Sequence, residues 1–104
     1  MAQNEYIYLL KFNRPALLVE GPTEEEAAIR QRHLDYVKGL KDDGSLILAG
    51  RTQTAPEYSV GLVIFRAKDE AAAQRIVQSD PAVALGLMTA ELYPFPVIVA
   101  GQLS

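Results

Sequence analysis

The sequence contains no cysteine and no tryptophan, and it has a single histidine among its 104 residues. The absence of cysteine excludes disulfides, thiol nucleophiles, thiolate zinc sites and iron–sulfur clusters, and it fits a cytoplasmic location. No apolar run approaches the roughly 18 residues that a membrane-spanning helix needs, and the N-terminus does not have the basic start and long apolar stretch of a signal peptide. We therefore expect a soluble cytoplasmic protein with no membrane partner.

A strong charge of either sign is also missing. The chain has 10 basic and 13 acidic residues, which give a net charge of −3, and the basic residues are scattered along it. Proteins that bind nucleic acid normally carry a basic face, so no nucleic-acid partner is expected. One histidine and scattered acids give no recognisable metal-ligand spacing, and no cofactor is predicted. Haem ligation by the histidine stays open and would show as a Soret band.

The overall composition is that of an ordinary globular protein, with 49% apolar and 22% charged residues. A chain of this length forms one domain, here residues 1–104, because folded units usually span about 100–150 residues. The apolar runs and the residues that break them predict the order βαββαβ. The expected strands are 6–12, 45–51, 57–65 and 87–93, and the expected helices are 24–41 and 69–79, with a further turn at 81–85.

Several local signals set the ends of these elements. Thr23 and Glu26 have the spacing of a capping box at the start of the first helix, and Gly44 suits the left-handed residue that ends it. Residues 17–19 either extend the first strand or form an irregular segment, and 97–99 are a candidate for one more short strand.

This order of elements is that of the ferredoxin-like α+β fold, a four-stranded antiparallel sheet with both helices on one face. The other face is also apolar, because Ile7 and Leu9 alternate with the helix-side residues of the first strand, as Leu62 and Ile64 do in the third. Strands that are apolar on both sides are usually covered on both sides. We therefore predict a homodimer in which two sheets pack face to face.

The one histidine, His33, shares an apolar arc of the first helix with Ile29, Val37 and Leu40. A polar ring in that position must find hydrogen-bond partners or destabilise the fold. One interpretation is a structural histidine bonded to the main chain. The other is a general acid–base group, since histidine titrates near physiological pH. The periodicity does not choose between them.

Asp80 is the second candidate. An aspartate before proline commonly caps a helix, and Asp80-Pro81 fits that interpretation. Asp80 also enters the last connection of the fold, where the topology allows it to face the same cavity as His33.

The run from His33 to Gly50 resembles the YCII-related family, in which a helix histidine and a leucine precede a glycine-ended turn, an apolar strand and a closing glycine. The match spans almost the whole chain and continues in order through Phe65, the alanine-rich second helix, Asp80-Pro81, Gly86 and Pro94. Two positions depart from the family pattern: Arg51 stands where many relatives have proline, and Ala82 stands where relatives often have an aromatic residue.

The resemblance implies a ferredoxin-like fold assembled as a dimeric α/β barrel, with a candidate active site built on His33 and Asp80. Similar enzymes include muconolactone-isomerase-like barrels and a dehydrochlorinase of chlorinated-aromatic breakdown. They imply proton transfer by a His-Asp pair, of the isomerase or lyase type, on a small anionic or aromatic-derived substrate. The expected substrate-binding residues are Arg51, Arg14 and Tyr8. A guanidinium binds a carboxylate or phenolate in a bidentate way, and Tyr8 is expected to line the cavity.

Two other classes of function stay open. In the first, the barrel cavity holds a small molecule that His33 merely bonds, without catalysis. In the second, the chain is an accessory domain in which His33 is satisfied internally and no cavity exists. The identity of the substrate does not follow from the sequence.

Overall fold

A computed structural model describes residues 4–103 of the chain. The elements are β1 (Asn4–Phe12), α1 (Leu17–Glu20), α2 (Glu24–Asp42), β2 (Leu46–Arg51), β3 (Gly61–Ala67), α3 (Glu70–Ser79), α4 (Pro81–Ala84) and β4 (Met88–Pro94). The four strands form one antiparallel sheet in the order β2-β3-β1-β4, and a 3₁₀ turn at Pro56–Tyr58 lies between β2 and β3.

The helix α2 begins and ends at the residues that the sequence indicates. The hydroxyl of Thr23 accepts a hydrogen bond from the amide of Glu26 at 3.1 Å, and the Glu26 carboxylate accepts one from the amide of Thr23 at 2.9 Å. The predicted capping box is therefore confirmed. At the other end Gly44 has a φ of 86°, and the amide of Ser45 donates to the carbonyl of Leu40 at 2.9 Å. This 6→1 bond is the one that a left-handed glycine allows.

Both long helices pack on the same face of the sheet. Tyr8 lies at the centre of that face and is completely buried, with its ring edge-on to Phe65 at a centroid distance of 5.6 Å. Val37 and Leu40 of α2 and Ala73 and Val77 of α3 belong to the same core cluster, with Tyr6, Leu10, Val63 and Ala67 from the sheet. The predicted ferredoxin-like α+β fold is confirmed.

The opposite face of the sheet is apolar and only partly buried. Ile7 lies opposite Ile64 in the β1–β3 register, and Leu9 lies opposite Leu62. Tyr93, which pairs with Ile7 across β4, has 46% of its surface exposed. We call this surface, formed by Ile7, Leu9, Leu48, Leu62, Ile64 and Tyr93, the open sheet face.

The strand β3 starts later than the sequence predicts, at Gly61 in place of residue 57. Proline fixes the backbone at the first position of a helical turn. Pro56 accordingly begins the 3₁₀ turn, in which the amide of Tyr58 donates to the carbonyl of Ala55 at 2.9 Å. Alternating apolar residues from Tyr58 onward gave no sign of this turn, and the prediction for the start of the strand was wrong.

Two segments left open by the sequence have defined positions. Residues 17–19 belong to the short helix α1, whose Leu17 is buried against Ile29 and Leu87. Residues 97–99 are not a strand, because the amide of Val97 donates at 2.7 Å to the side chain of Glu5 and not to a neighbouring backbone.

Candidate active site

Asp80 lies at the junction of two helices, where it ends α3 and caps α4. Its Oδ1 accepts a hydrogen bond from the amide of Ala82 at 2.9 Å, and Pro81 occupies the first position of α4. A side-chain oxygen in this place satisfies an amide that the helix leaves unpaired. The cap fixes the carboxylate at the end of α3 and buries it completely.

His33 reaches this carboxylate from α2. Its Nδ1 lies 2.8 Å from both carboxylate oxygens of Asp80, a residue 47 positions away in the sequence. An ionised carboxylate can only accept a hydrogen bond, so the neutral imidazole carries its proton on Nδ1. Nε2 is then unprotonated and can accept a hydrogen bond or a proton from another molecule. The side chain of His33 is 20% exposed, less buried than its place on the apolar arc predicts.

Tyr8 supports the pair from the sheet. Its hydroxyl donates to Oδ2 of Asp80 at 2.8 Å. Burial, and after it the negative charge of Asp80, raise the pKa of Tyr8 well above its ordinary value, so the hydroxyl stays protonated and remains a donor. The carboxylate thus faces three donors, from Tyr8, Ala82 and His33, which compensate for its removal from water.

A cavity of about 510 Å³ lies beside this cluster, between α2 and one end of the sheet. Its volume suits a small organic molecule. His33 lines the cavity, whereas Asp80 and Tyr8 lie behind it. The other lining residues are Leu10, Phe12, Ala27, Arg30, Gln31, Leu34, Val37, Ala49, Gly50, Arg51, Ser59, Gly61, Leu62, Val63 and Met88.

The predicted substrate-binding residues occupy three different environments. Arg51, the last residue of β2, lines the cavity and is exposed. Tyr8 is completely buried and its hydroxyl is bonded to Asp80, so the geometry gives no support to a substrate contact there. Its position is that of a residue that holds Asp80.

Arg14 lies in an ion-pair network at the start of α2. Its Nε and Nη2 donate to the two carboxylate oxygens of Glu26 at 2.9 and 2.6 Å, and its Nη1 donates to Glu20 at 3.1 Å. The hydrogen bonds from Arg14, and then the amide of Thr23, lower the pKa of Glu26 to about 2. Because Arg14 is already paired with two carboxylates, the geometry does not support its predicted role as a substrate anchor.

Arg30 and Ser59 are polar residues of the cavity wall that the sequence analysis did not predict. Arg30 precedes His33 by one helical turn, and residues three apart share a helix face, so the spacing could have indicated it. Ser59 gave no such signal, because the sequence placed it inside a strand. It lies instead just before β3, where it is buried and lines the cavity.

A model of the YCII-related domain matches residues 5–96, which is most of the chain. The chain belongs to the YCII-related family. No curated protein matches it at a significant level. The family assignment agrees with the resemblance carried by His33, Asp80 and the glycine-ended turn between α2 and β2.

Neither a cluster of metal ligands nor a membrane-spanning helix occurs within residues 4–103 of this YCII-related protein. No group of three or more His, Asp or Glu side chains lies close enough together there to hold a metal ion. Within the same range no helix is both long and apolar enough to cross a bilayer.

The hydroxyl of Tyr8 provides a test of the buried cluster. We expect Tyr8→Phe to lower the free energy of unfolding by about 1.5–3 kcal/mol, because a buried carboxylate loses one of its donors. Tyr6→Phe is the matched control: Tyr6 is on the same face of β1 and nearly buried, and its hydroxyl makes no hydrogen bond within residues 4–103. Urea denaturation of both variants measures the difference. Equal losses in the two variants would contradict a specific role for the Tyr8–Asp80 bond.

Proposed function

We propose that this YCII-related protein is a small-molecule enzyme in which His33 transfers a proton as general acid and base. Asp80 positions His33 through Nδ1 and has no contact with the substrate, since it is buried behind the ring. The observation that carries the proposal is the 2.8 Å contact between His33 and Asp80 at the wall of a cavity.

The reaction begins with removal of a proton from a carbon next to a carbonyl group. Nε2 of His33 takes the proton and the electron pair of the C–H bond moves into the carbonyl, which gives an enolate. In an isomerase the imidazolium returns the proton to another carbon. In a lyase the enolate expels a leaving group such as chloride, and the imidazolium passes its proton to solvent. Arg51, which lines the same cavity, holds the anionic group of the substrate.

The support for this assignment comes from what surrounds each nitrogen of His33. A histidine that is only structural has no need of a cavity beside its ring, and it is commonly satisfied by a main-chain carbonyl. Here the partner is a carboxylate that is itself held by Tyr8 and by the amide of Ala82. A carboxylate bonded to one ring nitrogen fixes the orientation of the ring and stabilises its protonated form during reaction.

Exchange of carbon-bound hydrogen with solvent tests the proposal directly. The protein is incubated in deuterium oxide with a panel of lactones and halogenated phenolics, and the compounds are then analysed by mass spectrometry. We expect at least one compound to gain deuterium, to isomerise or to lose halide at a rate proportional to protein concentration. Recovery of bound compounds unchanged after long incubation would favour a non-catalytic binding protein.

We further propose that the protein acts as a cytoplasmic homodimer whose subunits meet at the open sheet face. The support is the apolar character of that face and the absence of cysteine, which fits a reducing compartment. In analytical ultracentrifugation we expect a dimer for the natural chain and a monomer for Ile7→Lys. Leu85→Lys, an exposed apolar position on the helix side of the molecule, is expected to remain a dimer. A monomeric natural chain would contradict this arrangement.

A further inference from the structure

We propose that the cavity takes a small carboxylate with an apolar body, and that Arg30 is a binding residue which, together with Arg51, holds the carboxylate group. This inference rests on the proposed function, because it concerns the same cavity. It adds the chemical class of the substrate and a role for Arg30, which was not among the predicted site residues.

The charge of the cavity wall differs from that of the whole protein. The chain is acidic, with a net charge of −3. The cavity is lined by Arg30, Arg51 and His33, whereas no aspartate or glutamate of residues 4–103 belongs to its lining. A cavity wall whose ionisable side chains are all basic attracts anions and repels cations.

Both arginines are available to a ligand. Within the described part of the chain the arginine ion pairs are those of Arg14, and neither Arg30 nor Arg51 bonds a carboxylate. Arg30 is half-buried and lines the cavity, and within residues 4–103 it lacks the carboxylate partners that Arg14 has. A carboxylate in the cavity supplies the missing partner, in the bidentate geometry that guanidinium favours.

The rest of the wall fits an apolar body. Most of the remaining lining residues are aliphatic or aromatic, among them Leu10, Phe12 and Met88. Ser59 is a buried polar residue of the wall, and its hydroxyl makes no hydrogen bond within residues 4–103, so it is available to a carbonyl oxygen of the ligand. The first three residues of α2 do not line the cavity, and the described wall has no glycine-rich loop, so it lacks the backbone amides that bind phosphate. The apolar wall and the absence of these backbone features favour a carboxylate over a phosphate as the ligand.

The position of Arg30 also orients the substrate. Arg30 and His33 are three residues apart on α2, so their β-carbons lie about 5–6 Å apart on one helix face. A carboxylate held by Arg30 therefore places the carbons next to it beside the His33 ring. A carbon acid with its carboxylate a few bonds from the reacting carbon is the kind of molecule that this arrangement recognises.

Calorimetric titration with simple probes tests the inference without a known substrate. The probes are benzoate, phenylacetate and cyclohexanecarboxylate, their matched amides, and inorganic phosphate. We expect at least one carboxylate to bind, with an affinity about tenfold or more above that of its amide, because an amide cannot form charge-assisted hydrogen bonds with both guanidinium groups. Inorganic phosphate is expected to bind more weakly than that carboxylate.

Three variants assign the effect to residues. Arg30→Gln and Arg51→Gln are each expected to weaken carboxylate binding about tenfold or more. Arg32→Gln is the matched control, since Arg32 is on the same helix, is exposed and does not line the cavity; its binding is expected to equal that of the natural protein. Unchanged binding in Arg30→Gln, equal binding of acid and amide, preferred binding of phosphate, or no binding of any carboxylate would each overturn the inference.

The outcome is separable from that of the proposed function. His33→Gln keeps both arginines and is expected to retain carboxylate binding, while it loses proton transfer. Carboxylate binding that depends on Arg30, in a protein that exchanges no hydrogen, would retain this inference and contradict the enzyme assignment. Hydrogen exchange only with compounds that carry no carboxylate would support the enzyme assignment and contradict this inference.

Discussion

Replacement of His33 by glutamine is expected to lower the rate of deuterium exchange by about 10²–10⁴-fold, the usual contribution of a general acid–base group. Glutamine can still hydrogen-bond to Asp80 through its amide, and it fills a similar volume. It cannot accept and return a proton. We therefore expect a loss in kcat with little change in the free energy of unfolding, measured by the mass-spectrometric assay and by urea denaturation.

Gln31→Ala is the control for this result. Gln31 also lines the cavity, so its replacement changes the shape of the wall without removing the proton carrier. A rate close to that of the natural protein is expected for Gln31→Ala. If His33→Gln turned over any responsive compound at the natural rate, His33 would have no part in the chemistry.

Replacement of Asp80 by alanine is expected to have the largest effect on stability. The change leaves the Tyr8 hydroxyl, the Ala82 amide and His33 Nδ1 without their acceptor inside the protein. Loss of one partner from a buried polar cluster costs about 3–5 kcal/mol. We expect a loss of that size in the free energy of unfolding, measured by urea denaturation.

Asp69→Ala is the matched control, because Asp69 caps α3 through a single bond to the amide of Ala72 and is exposed. It should cost about 1 kcal/mol, the usual value of an exposed cap. Similar losses for the two aspartates would show that Asp80 is only a helix cap, which is the plainer interpretation of Asp80-Pro81.

The conservative variant Asp80→Asn separates stability from catalysis. Asparagine keeps the size of the side chain, and its oxygen can accept from Tyr8 or from the amide of Ala82. Its amide then presents a donor to His33, so the ring is driven to carry its proton on Nε2. We expect a folded protein with most of the exchange activity lost. A fully active Asp80→Asn would contradict the positioning role of Asp80.

The sequence predicts well those features that depend on neighbouring residues. The start of α2 just after Thr23 and its end near Gly44 follow from short-range hydrogen bonds. The βαββαβ order follows from the alternation of apolar residues and from the glycines and prolines that interrupt it. The 3₁₀ turn at Pro56 was not predicted, since a proline beside apolar residues is equally compatible with the edge of a strand.

The site itself was only partly predictable. The family resemblance indicated His33 and Asp80 but not their contact, because the two residues are brought together by the packing of α2 against α4, which Asp80 caps. Tyr8 was expected to contact a substrate, yet it is buried beneath the pair and bonded to Asp80. Arg14 was predicted to hold the substrate and Arg30 was not, although Arg30 is one helical turn from His33. Only the fold places one beside Glu26 and the other at the cavity.

The most direct test of the central claim is the tautomer of His33 in the folded protein, measured by two-dimensional ¹H–¹⁵N NMR of the imidazole ring in its neutral form. As the one histidine of the chain, it gives a single set of signals. The account predicts a protonated Nδ1 and an unprotonated Nε2, and reversal of this pattern in Asp80→Asn. A natural protein with the proton on Nε2 would contradict the account, because the nitrogen that faces a substrate could not then act as the base.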